Sequence, residues 1–132
     1  MIPHNEVHNG NWVQISVDGQ QMTGKVARKS VEMIGVATEA ELGWYYPEDL
    51  NPILLTEDWL GYFHLEKFDD PQVDGTGLAY KKGLFHLFYP DKNDKSHVIM
   101  TCHGSHDVEL HHELSVNEFQ NKYHMMTKVF VE

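Results

Sequence analysis

The sequence predicts an α+β fold, mainly antiparallel β: an N-terminal bent sheet or SH3-like barrel, then a β-meander, with a short middle helix and a C-terminal amphipathic helix. Three observations predict it. Trp12 to Val17 alternates in polarity and runs into Asp18-Gly19, two more alternating stretches are punctuated at Gly83 and Gly104, and Ser115 opens a helical stripe. With 132 residues the chain suits one domain, 1–132, divided into a bent β portion over 1–55 and a helix, hairpins and C-terminal helix over 56–132.

In the first strand Val13, Ile15 and Val17 share one face, and Asp18-Gly19 supplies the two positive φ values of a type I′ turn. That turn pairs Val17 with Gln20, Ile15 with Met22 and Val13 with Gly24. Lys25 to Val36 reads as further β structure that bends near Arg28-Lys29-Ser30. The alternation fails from Thr38 to Pro47, which places Trp44, Tyr45 and Tyr46 in a loop.

A helix start follows at Thr56-Glu57-Asp58-Trp59. Thr56 can cap it, Glu57 and Asp58 put negative charge in its first turn, and Leu55 can pack on Leu60. Gly61 and the strand-like Leu65 to Phe68 limit it to about two turns. Beyond it, a turn at Lys82-Gly83 pairs Tyr80 with Phe85 and Leu78 with Leu87. A Gly104-Ser105 turn of type II′ pairs His103 with His106, Thr101 with Val108 and His97 with His112. The capping box Ser115-Val-Asn-Glu118 starts the last helix, and Val116, Phe119, Tyr123 and Met126 form its apolar stripe over about three turns.

Charge is the most informative part of the composition. Hydrophobic residues at 41% and charged ones at 23% are ordinary for a folded domain, but 20 Asp plus Glu stand against 10 Lys plus Arg, for a net charge of −10. Such a chain repels phosphate backbones, so direct nucleic-acid binding is not expected and a basic partner is. Nine of the net charges fall between Glu39 and Asp74, where ten carboxylates face Lys67 alone. The single Cys102 fits a reducing compartment, no apolar run is long enough to span a bilayer, and the opening residues do not resemble a signal peptide. A cytoplasmic protein with no membrane partner is expected.

Two stretches carry a resemblance. Pro52-Ile-Leu-Leu-Thr-Glu-Asp-Trp-Leu60 is similar to the Pro-Ile-Pro-Leu-Thr-Glu-Glu-Trp-Leu signature of small proteins without assigned activity encoded by phages and prophages of the Bacteroidetes. Glu118-Phe-Gln-Asn-Lys-Tyr123 resembles their closing Gln-Leu-Gln-Asn-Leu-Tyr, and Gly10-Asn-Trp-Val13 their opening Gly-Asn-Trp-Val. Leu54 stands where that family has a second proline and His64 where it has glycine. The resemblance implies a phage or mobile-element accessory protein and transfers no catalytic residue.

Two constellations remain. Acidic residues interleaved with aromatics suit docking on a basic protein surface, with charge steering the encounter and rings supplying buried area. Trp44, Tyr45, Tyr46, Glu48, Asp49, Glu57, Asp58, Asp69, Asp70 and Asp74 are the residues concerned, while Trp59 and Phe63, four apart on a helix, belong to the core. The partner implied is a basic, nucleic-acid-binding host protein, such as a defence nuclease blocked in the manner of an anti-CRISPR protein; a structural phage subunit or a homo-oligomer is the plainer alternative. Second, ten histidines include His97, His103, His106 and His112, two cross-strand pairs that make zinc the alternative to having no cofactor. Cys102 and His103 would face opposite sides of a strand, and no nucleophile, P-loop or dinucleotide motif occurs, so a non-enzymatic protein is expected. Asp69 to Gly75 lacks EF-hand spacing and reads as a solvated loop.

Overall fold

Asp18 and Gly19 take φ values of 51° and 80°, and the turn they form sets Val17 opposite Gln20, Ile15 opposite Met22 and Val13 opposite Gly24, the register expected. The computed structural model that shows this describes residues 1–69 and 76–131. Its architecture is mainly antiparallel β with a short helix and a C-terminal helix, α+β as expected. Its contacts divide it into two compact units, Met1–Leu54 with Ser115–Asn121 and Phe130–Glu132, and Leu55–Leu114 with Lys122–Val129.

The first unit is built on β1 (Trp12–Val17), β2 (Gln20–Lys29), β3 (Ile34–Ala37), β4 (Leu42–Tyr45) and β5 (Leu50–Asn51), in the order β4-β3-β2-β1-β5. A bulge between Val26 and Arg28 bends β2 where the sequence predicts a bend. A 3₁₀ turn at Pro47–Asp49 then returns the chain so that β5 pairs with β1, with Leu50 opposite Ile15. Val13, Ile15, Val26, Ile34, Val36 and Leu50 form the buried core on one face, with Val17, Met22 and Tyr45 packed against it. The expected loop at Trp44 to Tyr46 is corrected here. Leu42–Tyr45 is a strand whose partners on β3 include Ile34 for Tyr45 and Gly35 for Trp44. It is apolar on both faces, so no period-two signal marks it.

The start of α2 (Val116–Thr127) belongs to this unit. The reason is a polar clasp. Gln120 is fully buried; its Nε2 donates to Gly10 O and Val131 O, both at 2.9 Å, and its Oε1 accepts from Trp12 N at 2.9 Å. Beside it Asn11 Nδ2 donates to Asn121 Oδ1 at 3.0 Å, and Asn121 Nδ2 donates to Glu6 O at 2.8 Å. The opening Gly-Asn-Trp and closing Gln-Asn segments are therefore one structural device. Gly10 has φ 90°, and a Cβ there would stand 2.5 Å from the Phe130 ring, so glycine is required on both counts.

The second unit holds α1 (Glu57–Tyr62), β6 (Glu66–Phe68), β7 (Leu78–Lys82), β8 (Phe85–Tyr89), β9 (Val98–Cys102), β10 (Val108–Leu110) and the end of α2; its sheet is a meander, β10-β9-β8-β7-β6. Phe85 packs edge-on to Tyr123 at 4.8 Å between centroids, and Tyr80, Leu87, Tyr89, Val98 and Met100 complete its buried face. Phe63 is fully buried as expected, but Trp59 is only half-buried, edge-on to Tyr62 and tilted against Phe63. Both hairpin registers differ from expectation. Lys82 pairs with Phe85 and Tyr80 with Leu87, because Gly83 (φ 59°) takes the first central position of the turn and Leu84 the second. That two-residue slip leaves every side chain on its expected face. In the β9-β10 hairpin Ser105 N donates to Cys102 O at 3.0 Å, which centres the turn on His103-Gly104, and Val108 pairs with Met100. This slip is one residue, so the faces exchange.

Thr56 caps α1 by accepting from Trp59 N, as its sequence predicts. Its far end is a Schellman motif: His64 N donates to Gly61 O at 2.9 Å and Leu65 N to Leu60 O at 3.0 Å, with His64 at φ 65°. A left-handed non-glycine residue costs about 1–2 kcal/mol, against about 0.4–1 kcal/mol of extra chain entropy for glycine. His64→Gly is therefore expected to stabilise the protein by about 0.5–1 kcal/mol in urea unfolding, and a loss of stability would refute this assignment of the cap.

Candidate functional site

The β3-β4 connection shapes the first candidate site. Thr38 Oγ1 accepts from the backbone N–H groups of Ala40 and Glu41, both at 3.3 Å, and Thr38 N donates to Glu41 O at 3.0 Å. This Ser/Thr-type turn holds Glu39 and Glu41 in solvent at the start of β4. Along the strand Tyr45 turns inward to the core, while Leu42 and Trp44 point away from it. Leu42, Trp44 and the following Tyr46 remain 44%, 45% and 47% exposed. The six-membered ring of Trp44 lies 3.4–3.5 Å from where a Gly35 Cβ would be, and Arg28 Cβ stands 3.5 Å from the same point. Gly35 thus makes room for the ring and limits its motion.

After Tyr46 the 3₁₀ turn presents two further carboxylates. Pro47 starts it with a preset φ, Asp49 Oδ2 accepts from Tyr46 N at 3.3 Å, and Glu48 projects into solvent. β4 and the residue after it therefore present a row of three large side chains, Leu42, Trp44 and Tyr46, with Glu39 and Glu41 at one end and Glu48 and Asp49 at the other. No Lys or Arg lies between Thr38 and Asp49. Among the described residues β4 and β5 are the outer strands of their sheet.

Of the residues expected at an acidic docking surface, Trp44, Tyr46, Glu48 and Asp49 come together on this edge; Tyr45 does not. Glu57, Asp58 and Asp69 are exposed residues of the second unit, where Glu57 lies 3.7 Å from Lys67. Asp70 and Asp74 lie outside the described residues. Leu42 was not among the expected contacts, although the Leu42-x-Trp44-x-Tyr46 spacing marks it once residues 42–45 are read as a strand.

The histidines are arranged differently from expectation. His103 lies in the turn after β9, His106 between that turn and β10, and His112 beyond β10; they are exposed, and the pairs His103/His106 and His97/His112 do not form in the observed register. The slip instead puts His97 beside Glu109 and His111. His97 Nε2 donates to Glu109 Oε2 at 2.7 Å, His111 Nε2 lies 4.0 Å from Glu109 Oε1, and the two imidazoles stack at 4.8 Å with 13° between their planes. The His97 hydrogen bond, assisted by the nearby His111, holds the Glu109 carboxyl below the usual carboxylate range. Glu109 and His111 are among the seven possible ligands the sequence offers between 102 and 112, but the expected register sets Glu109 on the face opposite His97, and the observed one brings it to the same face.

No helix among the described residues is long and apolar enough to cross a membrane. Comparison with protein-family models, with curated proteins and with solved structures finds no match to the chain.

Proposed function

We propose that the chain is a non-enzymatic binding module that docks a basic protein partner along the outer edge of β4. The observation that carries this reading is the exposed Leu42-Trp44-Tyr46 row bracketed by four carboxylates. Natural sheet edges are commonly protected by lysine, proline or a covering element, because exposed apolar strands invite pairing. Here the edge keeps its apolar groups and carries four carboxylates at its two ends, with Arg28 of β2 the cation across Gly35 from Trp44. That combination repels a second acidic copy and attracts a basic surface, with tryptophan as an anchor of the kind that dominates binding energy.

The resemblance to phage and prophage proteins supplies the finer version, an accessory protein acting in the host cytoplasm on a basic, nucleic-acid-binding host protein, with an anti-CRISPR-like block of a defence nuclease as its concrete form. Affinity capture from a Bacteroidetes lysate tests the reading, using the wild type and a Glu39→Lys/Glu41→Lys/Glu48→Lys variant at low and high salt. The expected outcome is a basic protein retained by the wild type at low salt, released by high salt and absent from the variant. Equal recovery in all arms overturns the electrostatic docking.

A further inference from the structure

We infer that His97, Glu109 and His111 form a divalent transition-metal site that closes the open end of the β9-β10 hairpin, independently of docking at β4. The three residues offer two imidazole nitrogens and a carboxylate, and their ligand atoms all lie within 4.8 Å of one another. Nitrogen and oxygen ligands bind zinc at roughly 2.0–2.2 Å, so two ligands of one tetrahedral ion stand about 3.3–3.6 Å apart. The 2.7 Å and 4.0 Å pairs bracket that spacing, and the widest pair, up to 4.8 Å apart, closes by roughly an ångström or more on binding. Side-chain rotation suffices at positions this accessible: His97 is 33%, Glu109 52% and His111 74% exposed.

The backbone explains why these three converge. In the observed ladder Leu110 pairs with Val98 and Glu109 with Ile99, so continuing it by one step sets His111 across from His97, and Glu109 lies two residues from His111 on the same face. Two nitrogens and one carboxylate oxygen suit zinc, copper or nickel and not magnesium or calcium, which prefer all-oxygen sets. Water completes the coordination on the solvent side. Because β10 is only three residues long and an outer strand of its sheet, an ion bound across its end would hold it to β9.

Zinc sulfate and magnesium chloride titrated separately into untagged protein test the inference, followed by calorimetry and by hydrogen exchange of the Glu109 and Leu110 amides. One zinc per chain is expected, with slower β10 exchange that chelator reverses and no response to magnesium. His111→Ala and Glu109→Gln, both at exposed positions, should each weaken zinc at least tenfold, while a His103→Ala/His106→Ala variant binds as the wild type does. Zinc binding unaffected by His111→Ala and Glu109→Gln, lost in the His103/His106 variant, or absent from the wild type overturns the assignment.

Discussion

Gln120→Leu is expected to destabilise the first unit by about 3–5 kcal/mol, because it leaves Trp12 N–H and the carbonyls of Gly10 and Val131 without the amide that satisfies them. Each orphaned buried group costs about 1–3 kcal/mol, with part recovered where water can enter. Leucine has nearly the right volume, so packing cannot account for a loss of this size. Against a total stability of about 5–15 kcal/mol, the change removes a large fraction. Urea unfolding monitored by tryptophan fluorescence measures it, Trp12 being in the same unit. Asn121→Ala is the internal comparison: its amide is part-buried and joins Asn11 and Glu6, so its loss should be nearer 1 kcal/mol. A Gln120→Leu cost under 1 kcal/mol would show that the clasp is not what joins the start of α2 to the strand entry.

Trp44→Ala should do the reverse, sparing the fold and removing the binding. The indole rests against Gly35 but is nearly half exposed, so truncation should cost folding only about 1 kcal/mol. As the central aromatic of a docking edge it should cost about 2 kcal/mol or more in affinity, some thirtyfold in Kd. Tyr45→Ala sets the contrast, since that ring packs on the core and its loss should appear in stability first. Isothermal titration with the captured partner, beside unfolding curves for both variants, separates the two effects. Equal losses of stability and affinity in both variants would mean that Trp44 acts only through the fold.

How far the sequence could be read depended on whether local chemistry admitted one answer. Asp18-Gly19 has two residues suited to positive φ, so one turn type and one register follow. At Lys82-Gly83 and Gly104-Ser105 a single glycine can occupy either central turn position, and the structure uses the alternative in both. The first slip is even and preserves the buried face. The second is odd and replaces a His97-His112 pair by His97, Glu109 and His111.

Strand β4 escaped detection for another reason. Tyr45 and the outward Leu42 and Trp44 are all apolar, so a strand with one buried and one sticky face has no alternation to detect. The clasp illustrates a third limit: Gly10 and Gln120 are recognisable as motif residues, but only tertiary structure brings together groups 110 positions apart. The described carboxylates between Glu39 and Asp69 are clustered in sequence and divided between two units in the fold. The docking reading therefore rests on Glu39, Glu41, Glu48 and Asp49 around the exposed row.

Photo-crosslinking tests that reading most directly. A benzoylphenylalanine placed at Trp44, and in a separate variant at exposed Gln21 of the β1-β2 hairpin, reports which surface meets the partner. Docking along β4 predicts a strong adduct from position 44, diminished by high salt, and little from position 21. An adduct from position 21 with none from position 44 would contradict it.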